Sequence, residues 1–434
     1  MKVLIFGLGV NGGGFSAAKY FLEHKNEVLI TDIKLEKSFT KAINILEKLG
    51  AKFHLGQHSK EDFLWADLVV KNTSILPNNI YLKYAKRITN DFAFLINNYN
   101  LNKIKIIGIT GTKGKTTTSH AIFHVLKKLN YNVKLVGNMG ISAFEIASYI
   151  EKNDQKIDYL VCEFSSWQLR DTFLYLEKEF PSTKVAVFTN LLEDHQNSYD
   201  SMERYLQDKL KLFTKNTKQV ICPKAFEKSV LEKTNIKKRN LIFLETKLNI
   251  DLSNTPELIP AYKALSSLKI KSDTILKHLN TFSGVSHRIE WLGIHKNILF
   301  VNDSAATIPE AIAFSISHFR DVNLHLICGG TDKNLKVKTL INVFHKVSSI
   351  TLLDGSFTQN KLIPYLKDNK IKYNGPYKQM KSAVNKAYNL ANEDQSREMK
   401  VVILSPGATS FELFINEFDR GNQFKKSVKL IIDK

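Results

Sequence analysis

Short apolar strands alternate with helical-period segments in three successive sets along this chain, and nothing else in the sequence constrains the fold as much. Residues 2–6, 28–31 and 66–70 form the first set, 103–110, 159–162, 185–189 and 219–222 the second, and 298–302, 324–328, 349–353 and 401–404 the third. Strands joined by helical crossovers run parallel, with helices on both faces of the sheet. The predicted fold class is α/β: three modules in series, each a mostly parallel sheet with flanking helices. Polar or Gly/Ser-containing stretches near 98–103 and 282–288 predict domains 1–100, 101–284 and 285–434.

Composition narrows the class further. A chain of 434 residues that is 43% hydrophobic and 24% charged is neither disordered, fibrous nor a coiled coil. It has no apolar run of about 18 residues, so no transmembrane helix is expected. The apolar start Lys2–Phe6 is too short for a signal peptide and is interrupted by Gly7 and Gly9, which favours a first strand. Cys162, Cys222 and Cys328 are scattered and odd in number, so they build neither a disulfide framework nor a CxxC metal site. A reducing cytoplasm is the expected compartment. The net charge of +20 reads as a lysine-rich solvated surface or as attraction for polyanionic small ligands. No Lys/Arg stripe interleaved with aromatics is present, so nucleic acid is not an expected partner.

The residues with chemistry lie just beyond strand carboxyl ends, where open α/β sheets bind ligands. Gly7-Leu8-Gly9-Val10-Asn11-Gly12 matches G-x-G-x-x-G, and Asp32 ends the second strand. Such glycines let a diphosphate approach a helix N-terminus, although a plain tight turn needs them too. Thr110-Gly111-Thr112-Lys113-Gly114-Lys115-Thr116-Thr117 follows a strand and opens an amphipathic helix carrying Ile122, Val125, Leu126 and Leu129. Its backbone and Lys115 would cradle nucleotide phosphates, with the Thr116 hydroxyl on Mg²⁺. It is not a strict Walker A, because Ile109 stands at the first glycine position. The central module is thus read as a P-loop ATPase and the outer two as Rossmann-like.

Glu163 ends a strand beside that loop and is a natural Mg²⁺ ligand. Thr189-Asn190 with Glu193-Asp194-His195 forms a polar cluster at the next strand end. Lys209 lies on a helix with Ser201 as N-cap, where position alone makes it one lysine among many. Asp303, Gly329-Gly330 and Ser405-Pro406-Gly407 end three strands of the last module, which suggests that this module closes over the central one.

Together these segments resemble the Mur ligases, the ATP-dependent amide-forming enzymes of peptidoglycan precursor synthesis. The resemblance rests on Thr110–Thr117, Gly137-Asn138-Met139-Gly140, Glu163–Leu169, Thr189-Asn190 with Glu193–His195, and His287-Arg288. It continues through Asn302-Asp303-Ser304 with Thr307, Ser405–Phe411, and Arg420-Gly421 with Phe424, in the family's order. It implies a ligase that adds glutamate, D-glutamate foremost, to UDP-N-acetylmuramoyl-L-alanine through an acyl phosphate. It further implies that Gly7, Gly9, Val10, Asn11, Gly12, Asp32, Asn72 and Asn138 bind the UDP-sugar. Gly111, Thr112, Lys113, Gly114, Lys115, Thr116 and Thr117, with Arg288 and Asp303, would bind ATP. Thr116, Glu163, His195 and Lys209 would hold two Mg²⁺, Lys209 as a CO₂-derived carbamate, and Lys115, His195 and Lys209 would be catalytic. Thr307, Lys333 and Ser410 would take the glutamate. A cytoplasmic monomer is expected.

The chain also departs from the family pattern. Lys113 replaces Asn, Ala305 replaces Lys, Asn197 replaces Asp, Arg170 replaces Glu, and Glu417 falls where an aromatic is usual. The adenine-contacting Gly-x-His-Asn-x-x-Asn segment is not recognisable, and an alignment puts Asn254 and Glu257 on its two asparagines. The alternatives are an L-glutamate ligase, a diverged paralogue and a folylpolyglutamate-synthase-like ligase. That last reading lacks an account of Gly7–Gly12. A nicotinamide dehydrogenase would leave Thr110–Thr117 idle, and a nucleic-acid-binding NTPase would leave Ser405–Phe411 unexplained.

Overall fold

The computed structural model describes residues 1–9, 13–35, 40–137, 141–152, 156–192, 199–245, 256–317, 319, 322–332, 337, 340–396 and 398–433. Within these, three sheets follow one another along the chain. The first holds β1 (Lys2–Phe6), β2 (Glu27–Asp32), β3 (Lys52–Leu55), β4 (Leu68–Lys71) and β5 (Ile88–Thr89), in the order β3-β2-β1-β4-β5. All of its strands are parallel. Strand order reverses at β1, so the crevice between the ends of β1 and β4 is where a ligand is expected in a sheet of this kind.

The second sheet holds β6 (Lys105–Thr110), β7 (Val133–Gly137), β8 (Tyr159–Glu163), β9 (Thr183–Phe188), β10 (Val220–Cys222) and β11 (Leu241–Phe243). Its order is β11-β10-β9-β6-β8-β7, again parallel throughout. The reversal falls at β6, which brings the ends of β6, β8 and β9 together. Their nearly continuous apolar sequences suit strands covered on both faces.

The third sheet holds β12 (Glu290–His295), β13 (Ile298–Asn302), β14 (Asn323–Cys328), β15 (Ser349–Leu353), β16 (Asn374–Tyr377) and β17 (Lys400–Leu404), ordered β12-β13-β17-β14-β15-β16. Only the edge strand β12 is antiparallel. Insertion of β17 between β13 and β14 gathers the ends of those three strands.

The chain divides into two compact units, Met1–Phe282 and Ser283–Lys434. The first two sheets share a unit because one core runs through both. Phe94, on the helix Asp91–Asn98 after β5, stacks on Phe144 of the helix Ala143–Lys152 with ring centroids 4.8 Å apart, and Phe92 meets Phe164 at 4.5 Å. Among the described residues, no helix is long and apolar enough to cross a membrane.

Candidate active site

In the first sheet, the turn after β1 is held by Asp32. Its Oδ2 accepts from the amides of Leu8 (3.0 Å) and Gly9 (3.4 Å), and its Oδ1 accepts from Lys34 N at 2.9 Å. Gly9 has φ +68°, which strains any residue with a Cβ, and a Cβ there would lie 2.7 Å from Asn72 Nδ2 and push that amide aside. Asn72, just past β4, donates to the Gly7 carbonyl at 3.3 Å. The structure thus brings Gly7, Gly9, Asp32 and Asn72 together at the strand-order reversal. Val10, Asn11, Gly12 and Asn138 lie outside the described residues.

At the second reversal, the loop after β6 is fastened to β9. Thr112 N donates to Asn190 O (3.0 Å), Lys113 N to Asn190 Oδ1 (2.9 Å), and Thr189 Oγ1 to Lys113 O (2.6 Å). Gly111 has φ +142°, and a Cβ would fall 2.0 Å from Thr189 Oγ1. Gly114 caps the helix Lys115–Lys128 in a left-handed conformation. The first amides of that helix therefore face the loop, where its dipole favours an anion.

Lys115 Nζ folds back onto the carbonyls of Gly111 (3.0 Å) and Thr112 (2.9 Å). Thr116 Oγ1 donates to Glu163 Oε1 at 3.1 Å, and Ser119 Oγ to Glu163 Oε2 at 3.3 Å. Glu163 is fully buried at the end of β8. A hydroxyl and a carboxylate side by side give the hard oxygen donors that Mg²⁺ requires. Among the described residues no group of three or more His, Cys, Asp or Glu forms a metal cage, and His195 lies outside them. Lys113 is exposed, and Thr117 is half-buried on the helix.

Lys209 sits on the helix Met202–Leu210, whose N-cap Ser201 accepts from Arg204 N. Though 1% exposed, it reaches the Gly111 carbonyl at 2.7 Å, with its Nζ 4.2 Å from the centre of the Tyr205 ring. Tyr205 in turn pairs its hydroxyl with Thr112 Oγ1 at 3.3 Å. Ser119 and Tyr205 join this site although no sequence motif marks them. One helical turn from Thr116 or Lys209 was the only signal available for them.

In the C-terminal unit, Asp303 ends β13 and is 5% exposed. Its Oδ2 accepts from Ser315 and, at 2.8 Å, from Ser405 just past β17, while Oδ1 accepts from Ile289 N at 3.3 Å. Burial pushes the carboxyl up to about 6, against these donors and the charge of Arg288. Arg288 itself is exposed, between His287 and Ile289, which both have positive φ. Thr307 is half-buried, and Ser410 is 3% exposed with no hydrogen-bond partner for Oγ among the described residues. Thr331 and Thr409 bridge the β14 and β17 loops, with Thr331 N to Thr409 O at 2.9 Å and Thr409 Oγ1 to Thr331 O at 3.1 Å. Lys333 lies outside the described residues.

Beneath these loops lies Arg420, which sequence reading noted only as part of a motif. It is fully buried and donates to Ser304 Oγ (3.0 Å), Ser304 O (2.8 Å), Ala408 O (2.9 Å) and Thr409 O (3.2 Å).

The family model for the Mur ligase middle domain matches residues 109–257. The chain is 35% identical to the UDP-N-acetylmuramoylalanine--D-glutamate ligase of Borreliella afzelii (strain PKo), over 99% of this chain and 98% of that one. A Treponema pallidum (strain Nichols) protein of the same description is 26% identical, over 99% and 98%. Among solved structures, UDP-N-acetylmuramate-alanine ligase MurC from Thermotoga maritima superposes with a TM-score of 0.58 at 18% identity, covering 99% of this chain and all of that one. MurF ligase from the same organism, in complex with ADP, gives 0.55 at 14% identity, with 98% of each chain covered. These likenesses show the fold, and the full-length 35% identity shows more: this chain belongs to the Mur ligase family.

Proposed function

We propose that the chain joins the amine of D-glutamate to the carboxylate of UDP-N-acetylmuramoyl-L-alanine, at the expense of ATP, in peptidoglycan precursor synthesis. The observation that carries this reading is the meeting of Lys115, Thr116 and Glu163 at the ends of β6 and β8, in a chain whose relatives bear that activity in their names. A carboxylate resists attack by an amine, so it must first be activated. Its oxygen attacks the γ-phosphorus of ATP, the bond to ADP breaks, and an acyl phosphate forms. The glutamate amine then attacks the acyl carbon, inorganic phosphate leaves, and the amine loses a proton as the amide forms.

Each part of the chain has a task in this reading. The domains are 1–100 for the UDP-sugar, 101–284 for ATP, and 285–434 for glutamate and nucleotide contacts. Gly7, Gly9 and Asn72, with Val10, Asn11, Gly12 and Asn138, hold the UDP-sugar, and Asp32 keeps the turn in shape. Lys115 leaves its loop carbonyls for the γ-phosphate, where a fixed cation stabilises charge developing in transfer. Thr116 and Glu163 would hold magnesium, and His195 and Lys209 would serve a second ion. Bound magnesium supplies neutralisation of phosphate charge. Arg288 and Asp303 would bind the nucleotide, and Thr307, Lys333 and Ser410 would bind the glutamate. The chain acts as a monomer in the cytoplasm, where ATP and nucleotide sugars are available.

Purified protein should release phosphate only when ATP, UDP-N-acetylmuramoyl-L-alanine and D-glutamate are all present, and Lys115→Ala should abolish the release. Equal release with either acceptor substrate omitted would falsify the reading.

A further inference from the structure

Lys71 ends β4 with a side chain that is 0% exposed, and all three of its ammonium protons have acceptors. Nζ donates to Asn72 O at 3.1 Å, Ile75 O at 2.5 Å and Asp171 Oδ2 at 2.5 Å. Asp171 is also 0% exposed, lies on the helix Ser166–Tyr175, and accepts from Arg170 Nε on its other oxygen at 3.1 Å. A buried charge persists only when it is paired and fully hydrogen-bonded, and here both conditions are met. Lys71 is therefore committed to the protein and has no proton to offer a ligand.

What the pair joins gives it meaning. At one end, the segment that supplies the Asn72 and Ile75 carbonyls also carries the Asn72 amide onto Gly7, beside the turn that Asp32 holds. At the other end, the helix Ser166–Tyr175 starts from a capping box between Ser165 and Gln168, two residues past Glu163. Asn90 Nδ2, donating to Thr172 Oγ1 at 3.2 Å, adds a second tie from the first sheet to the same helix.

We propose that Lys71 is a positioning residue. Through Asp171 it locks the Asn72–Ile75 segment to the helix that follows Glu163, and so fixes the distance between the UDP-sugar turn and the phosphate loop. The inference rests on the ligase reading, in which those two places hold the reacting carboxylate's carrier and the ATP. Loss of the lock leaves both sites built but misaligned, and displacements of about 1 Å cost reactions on the order of 100-fold.

The test compares steady-state constants of Lys71→Met, Lys71→Arg and Asp171→Asn with the parent enzyme. Lys71→Met and Asp171→Asn should each lower kcat by about 10- to 100-fold, with KM for glutamate and for ATP nearly unchanged. The double variant should be no worse than the worse single one, as expected for one shared interaction. Lys71→Arg should recover most of the loss. Unchanged kcat in Asp171→Asn, or a loss expressed as equal rises in KM for all three substrates, would overturn the proposal. Amide hydrogen exchange at residues 72–76 is the readout should Lys71→Met fail to fold or the parent show no ligase activity. Faster exchange there in Asp171→Asn, with the rest of the chain unaffected, supports the lock, and unchanged exchange overturns it. A parent without turnover refutes the ligase reading and leaves the exchange result to decide the lock.

Discussion

Lys115 and Lys209 converge on one oxygen: the Gly111 carbonyl accepts from both ammonium groups, at 3.0 and 2.7 Å. Of the two, Lys209 is the more deeply buried, at 1% exposure. Loss of its proton leaves an amine that can add CO₂, forming an N–C bond and releasing a proton. In the proposed ligase the resulting carbamate would keep one N–H for Gly111 and would offer an anion to magnesium. Enzyme equilibrated with ¹³C-bicarbonate should show one carbamate resonance that is missing from Lys209→Ala, and that variant should lose most activity. A fully active enzyme with no such resonance contradicts the modification.

Asp303 sets a pH dependence whose sign follows from its environment. Burial raises its carboxyl from 3.8 to about 6, so the folded chain holds this proton more tightly than the unfolded one does. Its contribution to stability is full below pH 3.8 and is lost as pH rises through about 6. Across that window the loss is about 3 kcal/mol at most. Asp303→Asn removes the titration, so urea denaturation should show the variant gaining on the parent between those limits. A stability difference that stays flat with pH would show that folding leaves the Asp303 carboxyl at its ordinary value.

Ser410 separates function from stability. Its buried hydroxyl has no partner among the described residues, so Ser410→Ala should change stability by no more than about 0.5 kcal/mol. If the hydroxyl donates to glutamate, KM for glutamate should rise about tenfold or more, with KM for ATP unaltered. A glutamate KM equal to that of the parent removes Ser410 from the binding site.

Arg420 should behave in the opposite way. Its guanidinium satisfies four oxygens on the loops that carry Asp303, Thr307 and Ser410, and burial lowers its pKa only to about 10, so it remains charged. Arg420→Met strands those acceptors and should cost roughly 3 kcal/mol or more in chemical denaturation. Stability equal to the parent's would mean that the loops hold their shape without it.

The central strands were legible in the sequence because they are apolar throughout and end in chemistry: β1 in Gly7, β6 in Thr110, β8 in Glu163. The edge strands β3, β5, β11 and β16 were not, being two to four residues long and for the most part only partly buried. The antiparallel β12 escaped notice because Trp291 and Ile294 face outward, at 63% and 55% exposure. The motifs of Thr116 and Glu163 lie at neighbouring strand ends in the sequence, and the structure sets their side chains 3.1 Å apart. Lys71 and Asp171 are 100 residues apart, and Arg420 and Ser304 are 116 apart. Such pairs leave no local period to read, since only tertiary packing joins them.

The central claim is that a carboxylate is activated by phosphoryl transfer before the amide forms, and oxygen tracing tests it most directly. UDP-N-acetylmuramoyl-L-alanine labelled with ¹⁸O in its alanyl carboxylate should be turned over with ATP and unlabelled D-glutamate. Attack of that carboxylate on the γ-phosphorus predicts one ¹⁸O in each inorganic phosphate released and one retained in the amide carbonyl. Unlabelled phosphate from a reaction that still forms the amide would contradict the account.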